Sequence, residues 1–299
     1  MLTSALKNTT CFVRRKYNAT LTRTKYSSPL FGIVYKQQFV NKTVAAVFST
    51  NKITPEQEQL EHHEVKVDQD TKLVTFDVKE TRAKHTATVI FLHGLGDTSF
   101  GWAEGMWAVG AFEKLDHVKF ILPTAPIIPV TINNSMPCPA WYDITGLESR
   151  ANETCEGLDE THDRIMKICQ DEIDINSIES DRIVFAGFSQ GGAASLFSGF
   201  SGNFQPAGII CLSGYMPRAQ TFADWRNEAI KEDIPIRLFH GEQDQVVKVD
   251  WARESGKIIK ENGFTNITMS TYPAMQHNAS EEELKDFAKE LVLMIPEDF

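Results

Sequence analysis

The chain of 299 residues is long enough for one large domain with an extension, and an apolar fraction of 42% is sufficient for a sizeable core. The formal net charge of -10 argues against a nucleic-acid-binding protein, whose surface needs an excess of Lys and Arg. No apolar run approaches the roughly 18 residues that a membrane-spanning helix requires.

Residues 1–55 differ sharply in charge from the remainder. They contain nine Lys or Arg and no Asp or Glu, and Glu56 is the first acidic residue. A basic, acid-free segment rich in Ser and Thr is typical of an organelle transit peptide, so we expect a leader that directs the protein to mitochondria. The alternative is a disordered tail on a cytoplasmic protein. The cations also predict peripheral affinity for anionic membrane surfaces.

The five cysteines are odd in number and none stands in a C-x-x-C pair. This pattern argues against a disulfide framework or a zinc site and predicts free thiols.

Strand-like and helix-like segments alternate over residues 56–299. Short apolar, β-branched runs predict buried strands at 87–92, 118–122, 182–186, 207–212 and 234–239, and the alternating pattern of 267–272 predicts the last strand. Apolar residues at helical spacing predict amphipathic helices around 165–173 and 284–295. This alternation predicts an α/β fold with a mostly parallel, twisted sheet and helices on both faces. Residues 65–78 predict an antiparallel hairpin at its edge.

The segment Gly187-Phe-Ser-Gln-Gly191 fits G-x-S-x-G between a predicted strand and a predicted helix. In that context the motif predicts a nucleophile elbow, a tight turn that raises the Ser189 hydroxyl above the sheet. The small residues are needed because the backbone is crowded there. A Gly-rich turn without chemistry is the alternative.

A serine nucleophile needs a base and an orienting acid, which follow it in the chain order Ser, acid, His in this type of fold. Only His240 and His277 lie beyond Ser189, and His240 precedes the best acid, so His277 is the predicted base. Asp244 is the predicted acid because it lies just beyond the carboxyl end of an apolar strand. Glu242, two residues away, is the competitor.

Two backbone N–H groups must stabilise the oxyanion of the tetrahedral intermediate. The first belongs to Gln190, the residue after the nucleophile. The second is assigned to Leu95, with Gly94 as competitor, because the glycine-rich loop that follows strand 87–92 lets its backbone approach a substrate.

The sequence resembles the acyl-protein thioesterase and lysophospholipase family, also described as a carboxylesterase family, over about residues 62–295. The resemblance rests on motifs that occur in order: His93-Gly-Leu-Gly-Asp-Thr98, Leu122-Pro-Thr-Ala-Pro126, Ala140-Trp-Tyr-Asp143, Gly187-Phe-Ser-Gln-Gly-Gly192 and His240-Gly-x-x-Asp244. It implies a single α/β-hydrolase catalytic domain over residues 56–299, with Ser189, Asp244 and His277 as triad and Leu95 and Gln190 as oxyanion donors. It also implies no metal or cofactor.

The implied substrates are S-acylated proteins or lysophospholipids, and the sequence indicates no nucleic-acid partner. Apolar residues near the predicted site would suit an acyl chain, and we select Trp102, Ile128 and Trp141, with ordinary core packing as the alternative. Two other functions remain open: a carboxylesterase for small soluble esters, and a catalytically silent binding protein. This chain departs from the family pattern at Met275-Gln276 before the base and at Glu242.

Overall fold

The computed structural model describes residues 63–108, 115–146 and 154–297, so the predicted leader lies outside the described residues. The strands in chain order are β1 (His63–Val67), β2 (Val74–Val78), β3 (Ala87–Leu92), β4 (Val118–Leu122), β5 (Ile127–Val130), β6 (Met136–Pro139), β7 (Ile183–Phe188), β8 (Gly208–Leu212), β9 (Ile236–Gly241) and β10 (Ile267–Tyr272). The helices are α1 (Ser99–Ala108), α2 (Leu158–Asp174), α3 (Gln190–Ser201), α4 (Phe222–Trp225), α5 (Val249–Glu261) and α6 (Glu281–Met294).

Eight strands form one sheet in the order β1-β2-β4-β3-β7-β8-β9-β10. Strands β4, β3, β7, β8, β9 and β10 are parallel, which confirms the predicted mostly parallel sheet. Every residue of β3, β7 and β8 is buried, because helices cover both faces of the sheet. One core contains residues of α2, α3 and α5, and a second contains residues of α1 and α6.

The predicted hairpin at residues 65–78 is confirmed. Strand β1 pairs antiparallel with β2, and β2 pairs antiparallel with β4, so the two strands form one edge of the sheet. Exposed and buried residues alternate over most of β1, as expected for a strand with one solvated face.

Strands β7 and β9 extend two residues further than their patterns predicted. Gly187 and Gly241 look like turn residues in the sequence, yet they pair with Cys211 and Tyr272 in the sheet. The ladder continues through them because glycine, although it weakens a strand, keeps both backbone hydrogen-bonding groups. Both strands therefore lead directly into the loops that contain the predicted catalytic residues.

The sequence pattern predicts no strand at Ile127–Val130, yet these residues form β5, which pairs antiparallel with β6. Prolines 129, 137 and 139 lie within this two-stranded ribbon, which tolerates them because many of its N–H groups face no partner strand. Ile127 is 71% exposed and Met136 is 44% exposed, so the hairpin presents apolar surface to solvent.

The cysteines among the described residues, namely Cys138, Cys155, Cys169 and Cys211, are free thiols. None of the helices in the described ranges combines the length and apolar character that a bilayer crossing needs.

Candidate active site

Ser189 lies between β7 and α3 in a strained backbone conformation. Its φ is 54° and its ψ is -118°, a combination that L-residues rarely adopt. The Ser189 N–H donates to the Leu212 carbonyl at 2.8 Å, which fixes the turn against the end of the neighbouring strand β8. This geometry has the strain and the strand–turn–helix context of a nucleophile elbow.

Two glycines make the turn possible. A Cβ on Gly191 would lie 2.1 Å from the Leu92 carbonyl oxygen, and one on Gly187 would lie 2.5 Å from backbone atoms of Gly191. The first turn of α3 therefore packs directly against the end of β3. Only residues without a side chain allow this approach.

Ser189, His277 and Asp244 form a continuous chain of hydrogen bonds. His277 Nε2 lies 3.0 Å from Ser189 Oγ, and His277 Nδ1 lies 2.6 Å from Asp244 Oδ2. The three residues follow β7, β10 and β9, whose carboxyl ends meet at one edge of the sheet. A base placed between a hydroxyl and a carboxylate in this way can remove the hydroxyl proton.

The Asp244 carboxylate is buried and accepts several hydrogen bonds. Oδ1 accepts from the backbone N–H groups of Val246 and Val247, at 2.8 and 2.9 Å, and Oδ2 also lies 3.4 Å from His240 Nε2. Burial by itself raises the pKa of Asp244, but hydrogen bonds from His240, His277 and the Val246 N–H outweigh burial and lower this pKa to about 2. The Asp244 carboxyl group is therefore ionised at neutral pH.

The two competing residues have other partners. Glu242 is exposed and accepts a hydrogen bond from Thr271 Oγ1 at 2.9 Å. His240 is fully buried, and its Nε2 donates to the Val247 carbonyl at 2.7 Å, so it supports the loop of Asp244.

The predicted oxyanion donors flank Ser189. Gln190 is the first residue of α3, so its N–H lies at the positive end of that helix. The loop of Leu95 runs past the nucleophile, since a Cβ on Gly94 would lie 3.5 Å from Ser189 Cβ. No described residue accepts a hydrogen bond from either N–H group.

The Gln190 side chain has a structural role that the sequence did not reveal. Its Oε1 accepts from the Trp141 N–H at 3.0 Å, and its Nε2 donates to the Tyr142 carbonyl at 2.7 Å. Gln190 therefore fixes the segment after β6 to the elbow. No periodicity or motif signals such long-range bonds to backbone groups.

Of the residues predicted to contact an acyl chain, Trp102 and Trp141 are each 3% exposed. The Trp102 ring packs on Phe188, which in turn packs on His277, with centroid distances of 4.9 Å in both pairs. Trp141 packs on His93. Both tryptophans therefore support the site from within the core, whereas Ile128 is half-buried on the β5–β6 hairpin.

The unusual residues before the base do not obstruct it. Met275 is buried, and its carbonyl accepts a hydrogen bond from the Gln243 N–H at 3.0 Å, while Gln276 points to solvent. The Met275 carbonyl also packs so closely on Gly241 that a Cβ there would lie 2.3 Å from it. No group of His, Cys, Asp and Glu in the described ranges could hold a metal ion.

Comparison with known proteins places the chain among hydrolases. A family model described as phospholipase/carboxylesterase matches residues 73–295. Acyl-protein thioesterase 1 of Neurospora crassa is 43% identical over 217 residues, which cover 70% of this chain and 88% of the relative. Acyl-protein thioesterase 1 homolog 2 of Dictyostelium discoideum is 37% identical over 206 residues, with coverages of 69% and 91%. The crystal structure of Zea mays acyl-protein thioesterase 2 aligns with a TM-score of 0.63 and 28% identity, covering 75% of this chain and 99% of that one.

Proposed function

Because the chain belongs to the phospholipase/carboxylesterase family of α/β-hydrolases, we propose that it is a serine hydrolase that removes long acyl chains from cysteine thioesters of proteins. Ser189 is the nucleophile, His277 the general base and Asp244 the acid that orients it. The hydrogen-bonded chain of these three side chains is the observation that carries the proposal. The names of the relatives support the thioester as substrate.

In the first half-reaction, His277 Nε2 accepts the proton of Ser189 Oγ as that oxygen attacks the acyl carbonyl carbon. The carbonyl oxygen becomes an oxyanion, which the N–H groups of Leu95 and Gln190 stabilise. Collapse of the intermediate breaks the C–S bond, and the cysteine sulfur leaves with the proton from His277. Asp244 stays ionised and stabilises the imidazolium that forms.

In the second half-reaction, His277 removes a proton from a water molecule that attacks the acyl-enzyme carbonyl. The same two N–H groups stabilise the second oxyanion. When the bond to Ser189 Oγ breaks, the serine regains its proton from His277 and the fatty acid is released.

Matched series of acyl thioesters and oxygen esters, from two to sixteen carbons, test the substrate class. We expect kcat/KM to rise with chain length, because each buried CH2 contributes about 0.8 kcal/mol. We also expect kcat/KM to be higher for thioesters than for oxygen esters of equal length. A maximum at the shortest oxygen esters would instead support a carboxylesterase for small soluble esters. If a lysophospholipid, assayed beside this series, has the highest kcat/KM, the enzyme is a lysophospholipase instead.

A fluorophosphonate probe separates an enzyme from a catalytically silent binding protein. We expect covalent labelling at Ser189, because the probe reacts with a serine that a base has activated. Labelling should disappear in His277→Ala. An unlabelled wild-type protein would favour the binding protein.

We further propose that the β5–β6 hairpin contacts the acyl chain and the membrane surface near it. The Gly96 N–H donates to the Pro139 carbonyl at 2.8 Å, so this hairpin is bonded to the loop of Leu95. Ile127 and Met136 are exposed on the same hairpin. Ile128 is the proposed acyl-chain contact. Ile127→Ser should weaken hydrolysis of a palmitoylated peptide bound to vesicles but not of a soluble short-chain thioester in buffer without vesicles. The matched control is Ile175→Ser, which changes an isoleucine that is 74% exposed after α2. An equal effect of both variants would contradict the role of the hairpin.

For residues 1–55 we propose a mitochondrial address, supported by nine cations without an acid. The segment fused to a fluorescent reporter should carry it to mitochondria, and replacement of Arg14, Arg15 and Arg23 by Ala should release it. A reporter that accumulates on other anionic membranes would support peripheral attachment instead. A reporter that stays diffuse in the cytosol would instead indicate a disordered tail without a targeting function, on a cytoplasmic enzyme.

A further inference from the structure

His93 is a buried histidine that the proposed mechanism does not use. It lies in the loop after β3, is 1% exposed, and has a hydrogen-bond partner at each ring nitrogen. These partners are backbone groups, the N–H of Ala125 and the carbonyl of Gly94.

The partners determine the tautomer. The Ala125 N–H donates to His93 Nε2 at 2.9 Å, so Nε2 is the unprotonated nitrogen. Nδ1 must then carry the hydrogen, and it donates to the Gly94 carbonyl at 2.7 Å. Burial lowers the pKa of His93 to about 4, against the opposing effect of the Gly94 carbonyl, so the ring is neutral at physiological pH.

The Gly94 carbonyl and the Leu95 N–H belong to one peptide unit. A trans peptide is planar, and its C=O and N–H point in opposite directions. The carbonyl is held by His93 Nδ1 and by the Asp97 N–H at 3.2 Å, so the Leu95 N–H points away from the imidazole. This loop passes beside Ser189, as the position of Gly94 shows.

The segments on both sides of this peptide are also fixed. Trp141 Nε1 donates to the His93 carbonyl at 2.7 Å, and the Gly96 N–H donates to the Pro139 carbonyl. With its neighbours anchored, the Gly94–Leu95 peptide can change the direction of its N–H only by rotating its carbonyl away from His93.

We propose that His93 is a positioning residue that directs the Leu95 N–H at the oxyanion of the tetrahedral intermediate. The inference rests on the proposed function, because the direction of the Leu95 N–H affects the rate only if an oxyanion forms beside it. His93 contacts no reacting atom and acts only through the peptide it holds.

Two substitutions of His93 and one control test this role. His93→Leu removes the donor to Gly94, whereas His93→Asn keeps an N–H donor near the position of Nδ1. His117→Leu is the control. His117 is also buried, at 4% exposure, and its ring also donates to a backbone carbonyl, that of Ile295 at 3.0 Å. It precedes β4 and therefore lies at the amino ends of the parallel strands, away from the candidate site. Circular dichroism and Tm establish that each variant is folded.

We expect His93→Leu to lower kcat by roughly 10²-fold with little change in KM, the size of effect seen when one oxyanion donor is lost. Its affinity for a trifluoromethyl ketone, which forms a tetrahedral adduct with the serine, should fall by a similar factor. His93→Asn should keep kcat within about tenfold of wild type, and His117→Leu should change Tm but not kcat.

The rate of fluorophosphonate labelling at Ser189 gives the same comparison without an acyl thioester, so an incorrect substrate assignment leaves the test intact. A folded His93→Leu with wild-type kcat and labelling rate would overturn the inference. A folded His93→Asn whose kcat is more than a hundredfold below that of wild type would also overturn it. This second result decides the question if His93→Leu does not fold. An unlabelled wild-type Ser189 would refute the proposed function itself, and the role of His93 with it.

Discussion

At the scale of single residues, the site depends on buried groups whose partners are backbone atoms. Asp244 has a side chain without solvent exposure, and two backbone N–H groups hold its Oδ1 while His277 binds its Oδ2. A carboxylate held in this way cannot rotate, so it presents one oxygen to the imidazole. The orientation of His277 therefore follows from the loop that begins at the end of β9.

Asp244→Asn should lower kcat by roughly 10⁴-fold, with a much smaller effect on KM, because an amide favours the wrong imidazole tautomer and does not stabilise the imidazolium. Steady-state kinetics with a palmitoyl thioester measure the effect. Glu242→Gln is the matched control, and we expect it to keep near-wild-type activity because Glu242 is exposed and bonds Thr271. The reverse ranking of the two variants would show that the acid has been assigned to the wrong residue.

The candidate triad could be selected from the sequence because strand ends and chain order restrict the choices. Ser189, Asp244 and His277 each follow a predicted strand, and parallel strands bring their carboxyl ends to one edge. The supporting bonds of His93 and Gln190 could not be predicted. They join side chains to the backbone of Ala125, Trp141 and Tyr142, and no local pattern encodes such contacts.

At the scale of elements, the contact between β3 and the start of α3 is the tightest restriction on the site. The backbone of α3 approaches the Leu92 carbonyl so closely that only glycine fits at position 191. This contact sets the height of Ser189 above the sheet and the distance to the Leu95 loop. The pattern G-x-S-x-G thus reflects packing between two elements as well as chemistry.

Gly191→Ala should lower Tm by roughly 5–10 °C or prevent folding, because its Cβ would lie 2.1 Å from the Leu92 oxygen and overpacking costs about 1–3 kcal/mol or more. Thermal unfolding followed by circular dichroism measures this. The control is Gly146→Ala, where an added Cβ meets nothing within 4 Å. Equal stability of the two variants would contradict the close contact.

The first turn of α6 buries a carboxyl group. Burial raises the pKa of Glu283 to about 8, the nearby Asp244 carboxylate adds to the effect, and the Ser280 backbone opposes it. Between the unfolded pKa near 4.5 and the folded pKa near 8, the folded state retains a proton that the unfolded state releases. The free energy of unfolding therefore falls as pH rises through this interval.

Glu283→Gln removes this titration. Relative to wild type, the variant should gain stability as pH increases from 5 to 9, by roughly 2–5 kcal/mol at the upper end. Urea unfolding at several pH values measures the gain. Glu281→Gln, an exposed change in the same turn, should show no such trend. A difference between Glu283→Gln and wild type that stays constant over this range would contradict the buried, protonated carboxyl.

The strands of the eight-stranded sheet and the helices α2 and α6 followed from apolar runs and helical spacing, whereas the ends of β7 and β9 did not. β7 and β9 continue through Gly187 and Gly241 because neighbouring strands supply hydrogen-bond partners that a local pattern cannot reveal. The β5–β6 hairpin was missed for a related reason. Its prolines argue against a strand, and only the pairing of Ile127–Val130 with Met136–Pro139 creates one.

At the scale of the whole molecule, the basic segment 1–55 contrasts with an acidic remainder. The family match begins at residue 73, and the first described strand begins at His63. Every residue of the candidate site lies beyond this point. The catalytic unit is therefore expected to work without residues 1–55.

A chain that begins at Glu56 should fold with a Tm within a few degrees of the full chain and hydrolyse a palmitoyl thioester with the same kcat/KM. Differential scanning calorimetry and steady-state kinetics on the two proteins make the comparison. A shortened chain that is unfolded, or folded but inactive, would show that residues 1–55 contribute to the catalytic domain.

Hydrolysis of a palmitoyl-cysteine peptide by wild type and by Ser189→Ala tests most directly whether the acyl group is bound covalently to Ser189 during the reaction. Circular dichroism first establishes that the variant is folded. We predict a loss of at least about 10³-fold in kcat, because the residual rate depends on binding and the oxyanion donors alone. In wild type, rapid acid quenching and peptide mass spectrometry should place a palmitoyl group on Ser189. A folded Ser189→Ala that retains a tenth of the wild-type rate, with no acyl group on Ser189 in wild type, would contradict the account.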